Sequence, residues 1–229
     1  MSISSPRINV MLDSVRNASK QVMRDFNELR ISNVRSADFV NKTYLRSKET
    51  ICDALYDYKK DYGFIFEDDV NQEINNDGYT WFVIPIEARE NFTNCIVYFA
   101  MSVCLIHKNK VVAAVVDSPA LRETFWVEEN RGAFLEDFRS RYIKMRVKSR
   151  EGGSVDVSGS LLSKLLPGHA NVRSIGSTIL GFAYLASGRH SGVIYSGINK
   201  HKISLGKLFL QESGGRLTED SGLIVAGNI

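Results

Sequence analysis

Only four prolines and three cysteines occur in 229 residues, and neither sign of charge dominates. Cys52, Cys95 and Cys104 are odd in number and form no C-x-x-C pair. That argues against a disulfide framework and a thiolate zinc site, and favours a reducing cytoplasm. With 29 basic against 26 acidic residues, bulk charge makes no case for a nucleic-acid or membrane-surface partner. The opening MSISSPRINV lacks the basic start and apolar stretch of a secretory signal, so no export is expected. The longest apolar run, Cys95 to Ile106, contains Ser102 and falls short of the roughly 20 residues that cross a bilayer. It reads as a buried strand. The 44% hydrophobic content is enough for a substantial core in one domain or two tightly joined lobes.

Ile8, Met11, Val15, Ala18, Val22, Phe26 and Leu29 recur every three or four positions, which predicts one buried helical face. Leu45, Lys48, Cys52, Leu55 and Tyr58 predict a second helix over about residues 41–60, with Lys48 the polar break in its stripe. From Gly63 the pattern becomes short β-rich runs, GFIFE, WFVIPI, CIVYFAMSVCLI, VVAAVVD, ETFWVEE and GAFLE, separated by Asn, Asp, Gly and Pro. These predict the meander of an antiparallel sheet. A Gly/Ser-rich stretch at 151–160 marks the expected boundary between an N-terminal α+β lobe (1–150, two helices on the sheet) and a shorter C-terminal α/β lobe (151–229). In the latter, helix and strand are expected over 161–166, 172–191 and 203–215.

SADFVNK, DYGFIFED, WFVIPIEARENF, SIGSTILGFAYLASGRHSG and GGRLTEDSG follow one another in an order that resembles the inositol monophosphatase family over nearly the whole chain. SADFV, DYGF and A-S-G-R point to its bacterial, SuhB-like branch. The resemblance implies an α+β layered αβαβα sandwich with a shortened C-terminal lobe, since a strand and helix before NVRSIGS and a terminal helix after LIVAGN are missing. It also implies a homodimer and, from the branch, a transcription-machinery partner.

The family cleaves phosphate monoesters with water activated by magnesium, a hard cation that needs carboxylates and waters in near-octahedral array. Glu67 matches the Glu of the family's G-E-E turn, with Asp68 beside it. At the D-P-x-D-G-T signature the two aspartates correspond to Ile84 and Glu87, Ile86 offers only its carbonyl, and the Gly and Thr become Ala88 and Arg89. Asn91 and Phe92 restore the family ending. The water-activating pair of the family falls on Tyr44 and Arg89. The last metal-binding Asp falls on Lys202, and the Glu that contacts inositol hydroxyls on Tyr195. The resemblance therefore implies residual ligands Glu67 and Glu87 only, a degraded Mg2+ site with no cofactor expected, and impaired or absent phosphatase activity. A lysine in place of an aspartate is a severe penalty, because unit charges about 4 Å apart interact by about 4 kcal/mol at a near-surface dielectric.

Three readings stay open at this level. The chain is a binding or regulatory homologue, a phosphatase with an altered site on Glu67 and Glu87, or a metal-free anion sensor. In the last, Ala88, Arg89, Lys202 and Tyr195 line a substrate pocket and the two cations hold a small anionic ligand. Asp68, Asp69, Glu73 and Asp77 near Glu67 read as a solvated acidic loop or a substitute cation site. His107, His169, His190 and His201 read as ordinary core or surface histidines. Residues 139–150, RSRYIKMRVKSR, hold six basic side chains and no acidic one. Alternation puts Lys144, Arg146, Lys148 and Arg150 on one strand face with no aromatic interleaved. That suits a lysine- and arginine-guarded edge better than direct nucleic-acid binding.

Overall fold

A computed structural model describes residues 4–32, 36–68, 78–148, 153–161 and 171–227. Helix α1 (Pro6–Ser32) carries the expected stripe, with Ile8, Met11, Val15, Ala18, Val22, Phe26 and Leu29 all buried. Pro6 opens it, where a missing N–H costs nothing, and the Ser5 hydroxyl accepts from Ile8 N at 3.3 Å.

Helix α2 (Ala37–Tyr58) begins earlier than expected because Ser36 caps it, accepting from Phe39 N at 3.4 Å. Its buried face also differs from the expected one. Leu45 and Tyr58 are exposed, whereas Val40, Thr43, Tyr44, Ser47, Ile51 and Leu55 face inward. Two polar residues sit inside because each has a distant partner. Thr43 donates to Asp25 on α1 at 2.7 Å, and Ser47 donates to the Pro85 carbonyl at 2.9 Å.

Strands β1 (Gly63–Phe66), β2 (Tyr79–Glu87), β3 (Ala100–His107), β4 (Lys110–Ser118), β5 (Glu123–Glu128), β6 (Gly132–Glu136) and β7 (Tyr142–Lys144) form one sheet in chain order. Every pairing is antiparallel except β1 with β2, which is parallel. A short helix α3 (Arg89–Thr93) follows β2. The central strands read as unbroken apolar runs because both faces of the sheet are covered. Trp81, Val83, Val103, Val115 and Trp126 pack toward α1 and α2, while Phe82, Ile84, Cys104, Ala114 and Phe125 pack on the opposite side.

The run from Cys95 to Ile106 is strand only from Ala100. Cys95 adopts φ 58°, Ile96 N bonds Asn91 O at 2.8 Å, and the Asn91 amide donates to Tyr98 O at 2.7 Å. This turn holds the preceding segment off the sheet, leaving Ile96, Val97 and Tyr98 exposed at 44, 36 and 37%.

A second sheet holds β8 (Val155–Val157), β9 (Val172–Arg173), β10 (Gly192–Ser196), β11 (Arg216–Asp220) and β12 (Leu223–Gly227), in the order β11-β12-β10-β8-β9. Helices α4 (Thr178–Ala186) and α5 (Lys200–Ser213) lie between the two sheets in one continuous core. The described residues thus stack as helices, sheet, helices, sheet, an α+β layered sandwich as expected. Apart from Leu161, the first of the segments expected to supply helix and strand, 161–166, lies outside the described residues, as do Asp69, Glu73, Asp77, Arg150 and His169.

Just beyond β7, Met145 N still bonds Ala133 O at 2.8 Å and Val147 N bonds Ser213 O at 3.0 Å, but residues 145–148 belong to no strand. Lys144, Arg146 and Lys148 are exposed, and Met145 is buried between them. Tyr142, in the same alternating register, is also exposed, so an aromatic does stand on that face.

Candidate functional site

Strand β2 is the key to the site. Between Ile84, paired with Ser102, and Glu87, paired with Ala100, the strand carries one extra residue, a bulge at Pro85 and Ile86. Side chains alternate in a regular strand, so Glu87 would otherwise share the α1/α2 side with Val83. The bulge reverses the parity. Ile86 joins the cluster under α1 and α2, and Glu87 turns toward α4 and α5. Ile84, before the bulge, is fully buried among Phe82, Ala100 and Val116.

Glu87, 2% exposed, has its carboxylate surrounded by donors. Oε1 accepts from Thr178 N at 3.0 Å and from the Lys202 ammonium at 3.2 Å, and Oε2 accepts from the Ser177 hydroxyl in a short bond. Ser177 is the N-cap of α4, so Glu87 supplies negative charge where the helix dipole favours it. Gly176, at φ +77°, makes the entry turn, and a Cβ there would meet the Asn91 amide at 3.0 Å. That same amide holds the Ile175 carbonyl at 2.8 Å.

Lys202 stands in the first turn of α5, capped by Asn199, where a cation opposes the helix dipole. It is nevertheless 8% exposed, and its ammonium forms ion pairs with both Glu87 and Glu67, the latter in a short contact just beyond β1. Burial works against its charge, but the Glu87 and Glu67 carboxylates outweigh burial and hold its pKa above the ordinary lysine value. One ammonium therefore ties the ends of β1 and β2 to α5. The neighbouring His201 ring packs near Phe82, and burial together with Lys200 pulls its pKa down to about 4.

A cavity of about 420 Å³ opens beside this centre, lined by Glu67, Lys202, Tyr195, Asp156, Asn199 and a set of serines that includes Ser158, Ser174, Ser177 and Ser196. Tyr195 donates to Asp156 Oδ2 in a short bond, and Asp156 Oδ1 accepts from Ile175 N at 3.0 Å. Burial raises the Asp156 pKa, opposed by the Tyr195 hydrogen bond. The Tyr195 phenol sits against Gly181, where an added Cβ would fall 1.7 Å from its oxygen. Asp156 and the serines were not singled out from sequence. For Asp156 and Ser158 the signal was the alternation in SVDVS, masked by the Gly/Ser-rich look of 151–160.

Ala88 and Arg89 do not line this cavity. Ala88, at φ 58°, precedes α3 in a left-handed conformation that glycine would adopt without strain. Arg89 lies over the Tyr44 ring at 3.9 Å and pairs with Asp68 at 2.6 Å, and Tyr44 donates to the same Asp68 oxygen at 3.1 Å. Burial, then Asp68, raises the Tyr44 pKa. Asp68 is pulled below the usual carboxylate range, because hydrogen bonding and charge from Arg89 exceed the opposing effect of burial. Tyr44 and Arg89 are thus brought together, but locked with Asp68 into their own cluster. Among the described residues, no group of three or more His, Cys, Asp or Glu side chains is placed to hold a metal ion.

The sequence profile of the inositol monophosphatase family matches residues 4–223. The inositol-1-monophosphatase of Rhizobium meliloti is 31% identical, the match covering 98% of this chain and 92% of that protein. Nus factor SuhB of Pseudomonas aeruginosa is 27% identical over 97% of this chain and 92% of its own. Among solved structures, the extragenic suppressor protein suhB of Bartonella henselae superposes with a TM-score of 0.82 at 26% identity, covering 98% of this chain and 94% of that one.

Proposed function

The chain belongs to the inositol monophosphatase family, and we propose that it is a catalytically impaired or inactive, SuhB-like member that acts by binding. One observation carries this reading: the ammonium of Lys202 lies between Glu67 and Glu87, the two carboxylates that would otherwise ligate magnesium.

The remaining donors do not suit the family's metal. Both oxygens of Glu87 already accept hydrogen bonds, Ile84 has no lone pair, and Ile86 can offer only a carbonyl. A divalent ion would have to enter against a buried positive charge, whereas hard cations need several uncommitted oxygens. Water activation is also unsupported. The Tyr44 pKa is raised, the Arg89 guanidinium offers donors and no acceptor, and both are engaged with Asp68. The anion-sensor reading loses ground on the same geometry. Each of its two cations already has a carboxylate partner, and Glu67 and Asp156 add negative charge to the cavity wall.

A binding role agrees with similarity to proteins called Nus factor SuhB in Pseudomonas aeruginosa and Escherichia coli; a transcription-machinery partner is the regulatory role we favour. Exposed Ile96, Val97 and Tyr98 supply an apolar surface for a homodimer. No described helix is long and apolar enough to cross a membrane, and we place the protein in the cytoplasm. The test is phosphate release from inositol 1-phosphate and several sugar phosphates in millimolar magnesium or manganese. We expect none above the blank, together with retention of RNA polymerase or an elongation factor on the immobilised chain. Saturable, metal-dependent release would establish the altered-site phosphatase instead.

A further inference from the structure

The arrangement around Lys202 goes beyond the loss of a ligand, because it supplies a positive charge of its own. Resting on the reading of the site given above, we infer that the Lys202 ammonium is a tethered substitute for a divalent cation, and that removing it reopens Glu67 and Glu87 to metal.

Three observations converge on this. The ammonium contacts both carboxylates, Glu67 in the cavity wall and Glu87 buried behind it, with Lys202 only 8% exposed. It does so from the first turn of α5, where the helix dipole makes a cation unfavourable, so the carboxylates and not the helix account for its placement. It also bridges three elements by charge: the turn after β1, the bulged end of β2 and the start of α5. Through Glu87, which also receives Thr178 N and the Ser177 hydroxyl, the link extends to α4.

A single ammonium and a divalent ion differ in one measurable respect. The tethered cation is always present, so the assembly of this corner of the fold is independent of metal in solution. The carboxylates alone would repel one another, and a hard cation with waters completing its shell would then be stabilising.

The experiment is thermal unfolding of the full chain in EDTA and in about 10 mM manganese chloride, a concentration chosen to exceed a weak site's dissociation constant by roughly 100-fold. The parent chain melts at the same temperature in both, within about 1 °C. Lys202→Ala melts roughly 10 °C lower in EDTA, as expected when one partner of a buried ion pair is removed, and regains about 5 °C in manganese. Lys202→Asp, with a third carboxylate, regains more. Lys202→Arg keeps the charge, stays close to the parent and ignores manganese. The double variant Lys202→Asp with Glu87→Gln loses the manganese gain, which ties the effect to this site. If Lys202→Ala does not fold in EDTA, the count of bound manganese on Lys202→Asp by electron paramagnetic resonance, about one per chain against none for the parent, carries the same test.

A manganese-stabilised parent overturns the inference, and so does the absence of any manganese response in both Lys202→Ala and Lys202→Asp. These failures are separable from failure of the functional reading. Manganese binding by Lys202→Asp without phosphate release leaves that reading standing, whereas phosphate release by the parent sinks it whatever the variants do.

Discussion

Two cation–carboxylate clusters flank the candidate site, and they differ in almost every physical respect. In one, Lys202 is buried between Glu67 and Glu87. In the other, Arg89 and Asp68 meet near the surface, with side chains 38% and 57% exposed, Arg89 over the Tyr44 ring and Asp68 at its hydroxyl. The contrast teaches where charge replacement matters. Breaking a buried pair leaves a desolvated charge without a partner, whereas an exposed pair is screened by solvent and replaced by water.

The largest effect is therefore expected at Lys202. Lys202→Ala costs about 3–5 kcal/mol in denaturant unfolding, while Arg89→Ala costs less than about 1 kcal/mol; equal costs would erase the distinction. Next comes the other buried polar pair of the cavity. Tyr195→Phe strips Asp156 of its phenol donor and costs roughly 1–3 kcal/mol. Ala88→Gly moves the other way. It relieves the left-handed residue between Glu87 and Arg89 and stabilises by about 1 kcal/mol, without altering the response of either cluster to pH.

The clusters also separate at opposite ends of the pH scale. The Lys202 pKa is raised in the folded chain, so its contribution is complete below the ordinary lysine value of about 10.4 and is lost as pH rises through the folded value. The Asp68 pKa is lowered, so its contribution is present above about 3.9 and is lost as pH falls through the folded value. Accordingly, the stability gap between the parent and Lys202→Met narrows as pH rises above about 10. The gap for Arg89→Ala closes only below about pH 4. A third pH effect belongs to His201. Its pKa is held near 4 by burial and Lys200, so protonation opposes folding as pH falls below about 6.5. His201→Gln should flatten that part of the acid unfolding curve.

Much of the fold was legible in the sequence because its signals are local. The α1 stripe and the apolar runs of β2 to β5 declare helix and doubly covered sheet through spacing and composition alone. The face of α2 was not legible, because Thr43 and Ser47 point inward only by virtue of Asp25 and the Pro85 carbonyl, which periodicity cannot anticipate. The early part of the run from Cys95 failed as strand for a similar reason: Asn91 ties it into a turn.

At the site, Ile84, Glu87, Ala88, Arg89 and Lys202 were singled out from sequence by their place in the motifs. How they are used could not be read from it. A bulge of one residue decides which side Glu87 faces, and the start of α4, 90 residues farther on, decides what it binds. Asp156 went unnoticed because its importance comes from Tyr195 and the Ile175 amide, neither of them near it in sequence.

If a built-in ammonium stands where the family would use a metal, the parent chain should have no site for magnesium. A calorimetric titration of magnesium into the unmodified chain at neutral pH tests it most directly. No heat beyond dilution is expected up to millimolar magnesium. A saturable isotherm near one ion per chain would contradict it.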